Sequence, residues 1–201
     1  ASYRGKNIGN MGDMTTFSFH PVKHVTTGEG GAIVTNRKAL YDKLSMFRTH
    51  GITRDPQVMH SFAGPWYYEQ HYLGNNYRMT DIQAALGTSQ LQKLPGFVAR
   101  RQEIVNQYNE SFRDLASIKT PQEVEGGVAS WHLYVIELVS ERLSIGRREF
   151  FELLRQKGIG VNVHYIPVYY HPYYQNLGYK KGICKVAEEV YENIITLPLF
   201  P

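Results

Sequence analysis

Apolar and polar positions along this chain change period several times, which predicts a succession of strands and helices. Met14-Thr15-Thr16-Phe17-Ser18-Phe19 is a short β-branched and aromatic run and predicts a buried strand that ends at His20-Pro21. Thr27-Gly28-Glu29-Gly30-Gly31 predicts a turn, and Ala32 to Thr35 a second strand. Leu40, Leu44 and Phe47 then recur at helical spacing, with Asn36 as the expected N-cap and His50-Gly51 as the stop. Residues 52–75 carry Tyr, Trp and Pro without a period and are expected to be irregular. Thr80 is the expected cap of a helix from Asp81 to Leu94, with Asp81 suited to its positive end. Ala84, Ala85 and Gly87 are small enough for close packing of that helix. Pro95-Gly96 is expected to break it. Ile104, Val105, Tyr108, Phe112 and Leu115 then mark an amphipathic helix from about Phe97 to Leu115.

The texture changes after residue 115. His132 to Leu138 predicts a strand, Ser144 a cap for a helix from Ile145 to Lys157, Gly160 to Tyr165 another strand, and Cys184 to Asn193 a last helix. This order suggests a small α/β lobe joined at Pro95-Gly96. The expected division is residues 1–96 and 97–201, in an α/β or α+β chain.

Composition narrows the class. The chain has 201 residues, 42% hydrophobic, enough for a packed core. Its one cysteine, Cys184, excludes an internal disulfide framework and leads to the expectation of a reducing, cytoplasmic setting. Neither a leader nor a membrane span is expected, since no apolar run reaches bilayer length. The net charge of +4 is spread over isolated pairs such as Arg100-Arg101 and Lys180-Lys181, which read as solvated faces, so no nucleic-acid partner is expected.

The chemistry-bearing stretch runs from Ser18 to Gly31. Lys23 follows a predicted strand among apolar and aromatic residues, where a charged ammonium is disfavoured. An unprotonated lysine amine can attack a carbonyl to form a Schiff base. Ser18 could bond a nearby phosphate, and the glycines allow close backbone approach. That is the outline of a pyridoxal phosphate (PLP) site. Taken alone, the pattern also fits a surface lysine in a loop. The glycine turn has neither the G-x-x-x-x-G-K-[ST] nor the G-x-G-x-x-G spacing of nucleotide loops. Tyr165, Tyr169, Tyr170, Tyr173 and Tyr174 could line a pocket or simply pack. His164 and His171 have no cysteine or carboxylate at ligand spacing, and no metal is expected.

Three blocks together carry a resemblance. They are TTFSFHPVKHVTTGEGGAIVTN from Thr15 to Asn36, LGNNYRMTDIQAALG from Leu73 to Gly87, and GIGVNVHY from Gly158 to Tyr165, followed by Pro167. In this order they resemble the DegT/DnrJ/EryC1/StrS family of PLP-dependent sugar aminotransferases over nearly the whole chain. The resemblance implies PLP-dependent transferase fold type I, with part of a large PLP-binding domain and a small C-terminal α/β domain. It implies that Lys23 holds PLP and moves protons between cofactor and sugar, that Ser18 binds the cofactor phosphate, and that Asn76 reaches the phosphate of a neighbouring subunit. It therefore implies a homodimer with shared active sites. Asn162, His164 and Tyr165 match the strand facing the nucleotide sugar, although His164 also fits a packed core histidine.

HPVK followed by TTGEGG most resembles the transaminases of pseudaminic acid biosynthesis. These aminate C4 of a UDP-linked 4-keto-6-deoxy-N-acetylhexosamine, with L-glutamate the implied donor. Some family members carry His at the position of Lys23 and act as dehydratases. Another sugar aminotransferase, a dehydratase and a non-catalytic self-associating piece are the alternatives. The family's carboxylate for the pyridinium nitrogen belongs just upstream of Ala1. The chain is therefore expected to be an internal piece of a longer enzyme, with weak or no turnover by itself.

Overall fold

The computed structural model describes residues 1–201. In chain order, the first elements are β1 (Ser2–Tyr3), β2 (Lys6–Asn7), β3 (Thr15–Ser18), β4 (Gly31–Val34), α1 (Lys38–Phe47), β5 (Ile52–Thr53) and β6 (Glu69–Gln70). Then come α2 (Asp81–Phe112), β7 (Ile118–Lys119), β8 (Gly127–Val128), β9 (Tyr134–Leu138), α3 (Arg147–Gln156), α4 (Pro172–Asn176), α5 (Lys185–Asn193) and β10 (Ile194–Leu197). Two compact units result. One comprises Ala1–Leu94 with Gly126–Val128, the other Pro95–Glu125 with Ala129–Pro201. No helix is long and apolar enough to cross a membrane.

In the first unit, β3 and β4 pair antiparallel, with Thr15 opposite Val34 and Ser18 opposite Gly31. No third strand joins them. The expected burial of this hairpin is therefore not found, and Phe17, Ile33 and Val34 are exposed. α1 forms as its apolar spacing predicts, but Asn36 does not cap it. Asn36 Nδ2 donates instead to Asn10 Oδ1 at 2.8 Å, while Thr35 Oγ1 accepts the Arg37 N–H at 3.1 Å. Thr80 does cap α2. Its Oγ1 accepts the Gln83 N–H at 3.3 Å, and Gln83 Oε1 accepts the Thr80 N–H at 3.0 Å, a reciprocal capping box.

α2 runs unbroken through Pro95, against expectation. An interior proline costs about 3 kcal/mol through its lost N–H and its clash with the preceding turn. Burial of the residues beyond it offsets that cost. Val105 is fully buried, and Ile104, Tyr108 and Phe112 pack against the second unit's core. Leu115, expected on the same stripe, lies past the helix end and is exposed.

The core of the second unit sits on an antiparallel sheet ordered β10-β9-β7. Ile195 pairs with Ile136 and Leu197 with Tyr134. Along β9, alternate residues Tyr134, Ile136 and Leu138 are buried, as a half-covered strand requires, whereas all four residues of β10 are buried. Gly146, not Ser144, occupies the N-cap of α3, with extended backbone and no side-chain cap bond. The strand expected from Gly160 to Tyr165 is reduced to one bridge between Asn162 and Thr196.

Candidate active site

The connection between β3 and β4 carries Lys23, and its two ends are tied at one residue. The Phe19 N–H donates to the Gly30 carbonyl at 2.9 Å, and the Phe19 carbonyl accepts the Thr27 N–H at 3.0 Å. Within this frame the Lys23 N–H donates to the His20 carbonyl at 2.9 Å. Pro21 occupies the second position of that turn, where its fixed φ is suited. Thr26 Oγ1 donates to the Phe19 carbonyl at 3.1 Å and accepts the Gly28 N–H at 2.9 Å. Thr27 Oγ1 donates to the Glu29 carbonyl at 2.7 Å. Val25 and Thr27 are buried and Lys23 is half-buried, so the lysine stands on an anchored turn. The glycines are sterically required. A Cβ on Gly30 would lie 2.2 Å from Thr27 Oγ1, and one on Gly31 would lie 2.8 Å from the Phe17 carbonyl oxygen.

The first turns of α2 brace the same loop. Gln83 Nε2 donates to the Glu29 carbonyl at 3.0 Å. Gly87 is buried so closely against Thr27 that a Cβ there would stand 2.9 Å from the Thr27 Cγ2. Thr26, Thr27 and Gln83 are supporting residues that sequence reasoning did not single out. The T-x-x-Q spacing of Thr80 and Gln83 was the available signal for one of them.

Ser18 lies at the end of β3, exposed, with only a long 3.4 Å contact from the His20 N–H. Ser18 and Lys23 are thus joined through His20. Asn76 is placed by a separate crossing of chain. The His50 N–H donates to the Asn75 carbonyl at 2.9 Å and the Tyr77 N–H to the Arg48 carbonyl at 2.9 Å. Gly51 and Gly74 permit that crossing, since a Cβ on Gly74 would lie 2.2 Å from the Gly51 nitrogen. The Asn76 side chain is exposed.

In the second unit the structure brings Asn162, His164 and Tyr165 together. His164 Nδ1 lies 2.9 Å from Thr196 Oγ1, and its Nε2 lies 3.3 Å from Asn162 Nδ2. Burial pushes the His164 pKa below its ordinary value, which favours the neutral ring. A neutral ring has one acceptor and one donor. Acceptance from the Asn162 amide at Nε2 therefore assigns the proton to Nδ1, which donates to Thr196. The Tyr165 ring meets His164 edge-on at 4.5 Å and remains exposed. Of the other tyrosines, Tyr169 donates to Glu188 at 2.9 Å, Tyr170 meets Tyr191 and Tyr174 meets Tyr179, which commits them to packing.

Comparison with known proteins covers the entire chain. A protein of Methanocaldococcus jannaschii without assigned activity is 45% identical over 100% of this chain and 52% of its own length. The UDP-4-amino-4,6-dideoxy-N-acetyl-beta-L-altrosamine transaminase of Campylobacter jejuni is 40% identical over 88% of this chain and 45% of its own. A candidate sugar aminotransferase from Streptococcus pneumoniae, solved in its PLP form, superposes with a TM-score of 0.85 at 31% identity. That superposition covers 99% of this chain and 50% of the other. The chain thus spans about half the length of the proteins it matches, and its fold is part of fold type I of the PLP-dependent transferases. The sequence profile of one family matches residues 1–201 from end to end, and the chain belongs to the DegT/DnrJ/EryC1/StrS aminotransferase family.

Proposed function

We propose that this chain carries the lysine-bearing part of a PLP-dependent aminotransferase. Its substrate is a UDP-linked 4-keto-6-deoxy-N-acetylhexosamine, aminated at C4 with L-glutamate as donor. The observation that carries this reading is the half-buried Lys23 on a turn pinned by Thr26, Thr27 and Gln83, in a chain of an aminotransferase family.

The residues present fit the cofactor. The Ser18 hydroxyl oxygen only accepts the long 3.4 Å contact from the His20 N–H, which leaves its proton available to an anion. Lys23 supplies the amine for the aldehyde, and the exposed Ser18 hydroxyl supplies a donor for the phosphate. Bound PLP contributes the electron sink for the reaction. Lys23 holds the cofactor and carries protons to and from the reacting carbon. The fixed turn limits the positions its amine can reach, which lowers the entropic cost of alignment. Asn162, His164 and Tyr165 contact the nucleotide sugar, with the His164 ring oriented by Thr196. Asn76 reaches the cofactor phosphate of a second copy, which makes a homodimer the working unit. Lysine at position 23, where family dehydratases carry histidine, favours amino transfer over dehydration.

The test is borohydride reduction of the intact protein with PLP, followed by peptide mapping and product analysis with UDP-keto sugars. The label is expected on Lys23 and the product is expected to carry an amine at C4. A label on another lysine, or none, overturns the assignment.

A further inference from the structure

A second convergence of side chains lies in the first unit, where the connection 54–68 returns to β6. The Glu69 carboxylate collects donors from several directions. The His60 N–H reaches Oε1 at 2.9 Å and Oε2 at 2.8 Å, the Ser61 N–H reaches Oε1 at 2.9 Å, and the Tyr67 hydroxyl reaches Oε1 at 3.2 Å. His71 Nε2 lies 2.8 Å from Oε2. His60 Nδ1 lies 3.8 Å from the same oxygen. The two imidazole rings lie side by side, with centroids 5.0 Å apart. One ligand-capable atom from each of His60, Glu69 and His71 falls within 4.8 Å of the other two.

We propose that His60, Glu69 and His71 bind one divalent transition-metal ion of the zinc type, which clips the 54–68 connection to β6.

The donor set is two imidazole nitrogens and one carboxylate oxygen, a set that suits a borderline ion such as zinc and leaves a fourth position for water. An ion about 2.1 Å from each donor would see atoms 2.8 and 3.8 Å apart at angles of roughly 85 and 130°, on either side of tetrahedral. The remaining pair of donors lies within 4.8 Å, and the His60 side chain is exposed, so a turn of its ring can shorten that distance without disturbing the core. The backbone donors hold the carboxylate in place before any ion arrives, the orienting role that outer contacts play around metal ligands. Those contacts, led by the His60 N–H, also hold the Glu69 pKa down at about 2, so the group is an anion at neutral pH. Binding replaces the proton on His71 Nε2, which leaves to solvent, with a nitrogen–metal bond. A purely structural carboxylate would use the backbone and Tyr67 donors but has no need of the His60 ring.

The test uses the intact protein stripped with chelator, then titrated with Zn²⁺ by calorimetry and with Co²⁺ by visible absorption. One ion per chain and four-coordinate cobalt bands are expected. His60→Ala is the decisive variant, because its backbone N–H bonds to Glu69 survive and only the ring is lost. It should weaken zinc binding at least ~10-fold, as should His71→Ala, while His171→Ala leaves it unchanged. Absence of zinc binding, or wild-type affinity in His60→Ala, overturns the site. These readouts do not depend on PLP or amino transfer, so they stand or fall separately from the function proposed above.

Discussion

Gly87 offers a quantitative test of how the lysine turn is held. In an open helix interior, Gly→Ala stabilises by about 1 kcal/mol. Here the new Cβ would stand 2.9 Å from Thr27 Cγ2. Thr27 cannot swing away freely, because it is buried and its hydroxyl is committed to the Glu29 carbonyl at 2.7 Å. Overpacking of this kind costs about 1–3 kcal/mol. Gly87→Ala should therefore be anywhere from neutral to about 2 kcal/mol destabilising, where the helix alone would gain. In a Thr27→Ser background the obstructing methyl is gone and the hydroxyl remains. There the same substitution should stabilise by about 1 kcal/mol. A double-mutant cycle by urea unfolding reads the difference, a coupling of about 1–3 kcal/mol. Borohydride labelling of Lys23 should also slow in the single variant and recover in the double. A coupling under about 0.5 kcal/mol would refute the argument that α2 positions the lysine turn through this contact.

Two further outcomes concern the second unit. Ile195→Ala, at a fully buried position facing Ile136 across the sheet, should cost about 2–5 kcal/mol in urea unfolding, and a cost below ~1 would show that the site collapses around the cavity. Burial pushes the Tyr134 hydroxyl, bonded to Asn109 at 2.6 Å, up to about 12. The unfolded tyrosine ionises near 10, so this contribution is full below about pH 10 and is lost as pH rises toward about 12. The urea midpoint should fall more between about pH 9 and 11 in the wild type than in Tyr134→Phe, and equal falls would count against the burial effect.

Local pattern was legible where one residue type dictates one outcome. The apolar spacing of Leu40, Leu44 and Phe47 was enough for α1, and the alternation from Tyr134 to Leu138 for β9. The glycines of the lysine turn announced a backbone too tight for a Cβ, and the structure places Thr27 and Phe17 against them. Caps were less legible, since Thr35 and Asn36 stand side by side before α1 and which of them serves it depends on distant partners such as Asn10 and Asp13. β10 was missed although Ile194-Ile195-Thr196 is a β-branched run. It follows a helix directly and is buried on both faces, so it has no alternation to read.

By itself the sequence determined the family, the lysine proposed as reactive and most element types, because motif chemistry and hydrophobic period are properties of neighbouring residues. Only the tertiary structure decided that α2 continues through Pro95, that Gln83 and Gly87 brace a loop more than fifty residues away in sequence, and that Glu69 draws two histidines onto one oxygen. Those outcomes depend on burial and hydrogen-bond partners that the fold supplies. A proline's cost is offset only by the apolar residues packed beyond it, and a carboxylate becomes a hub only where the chain returns to it.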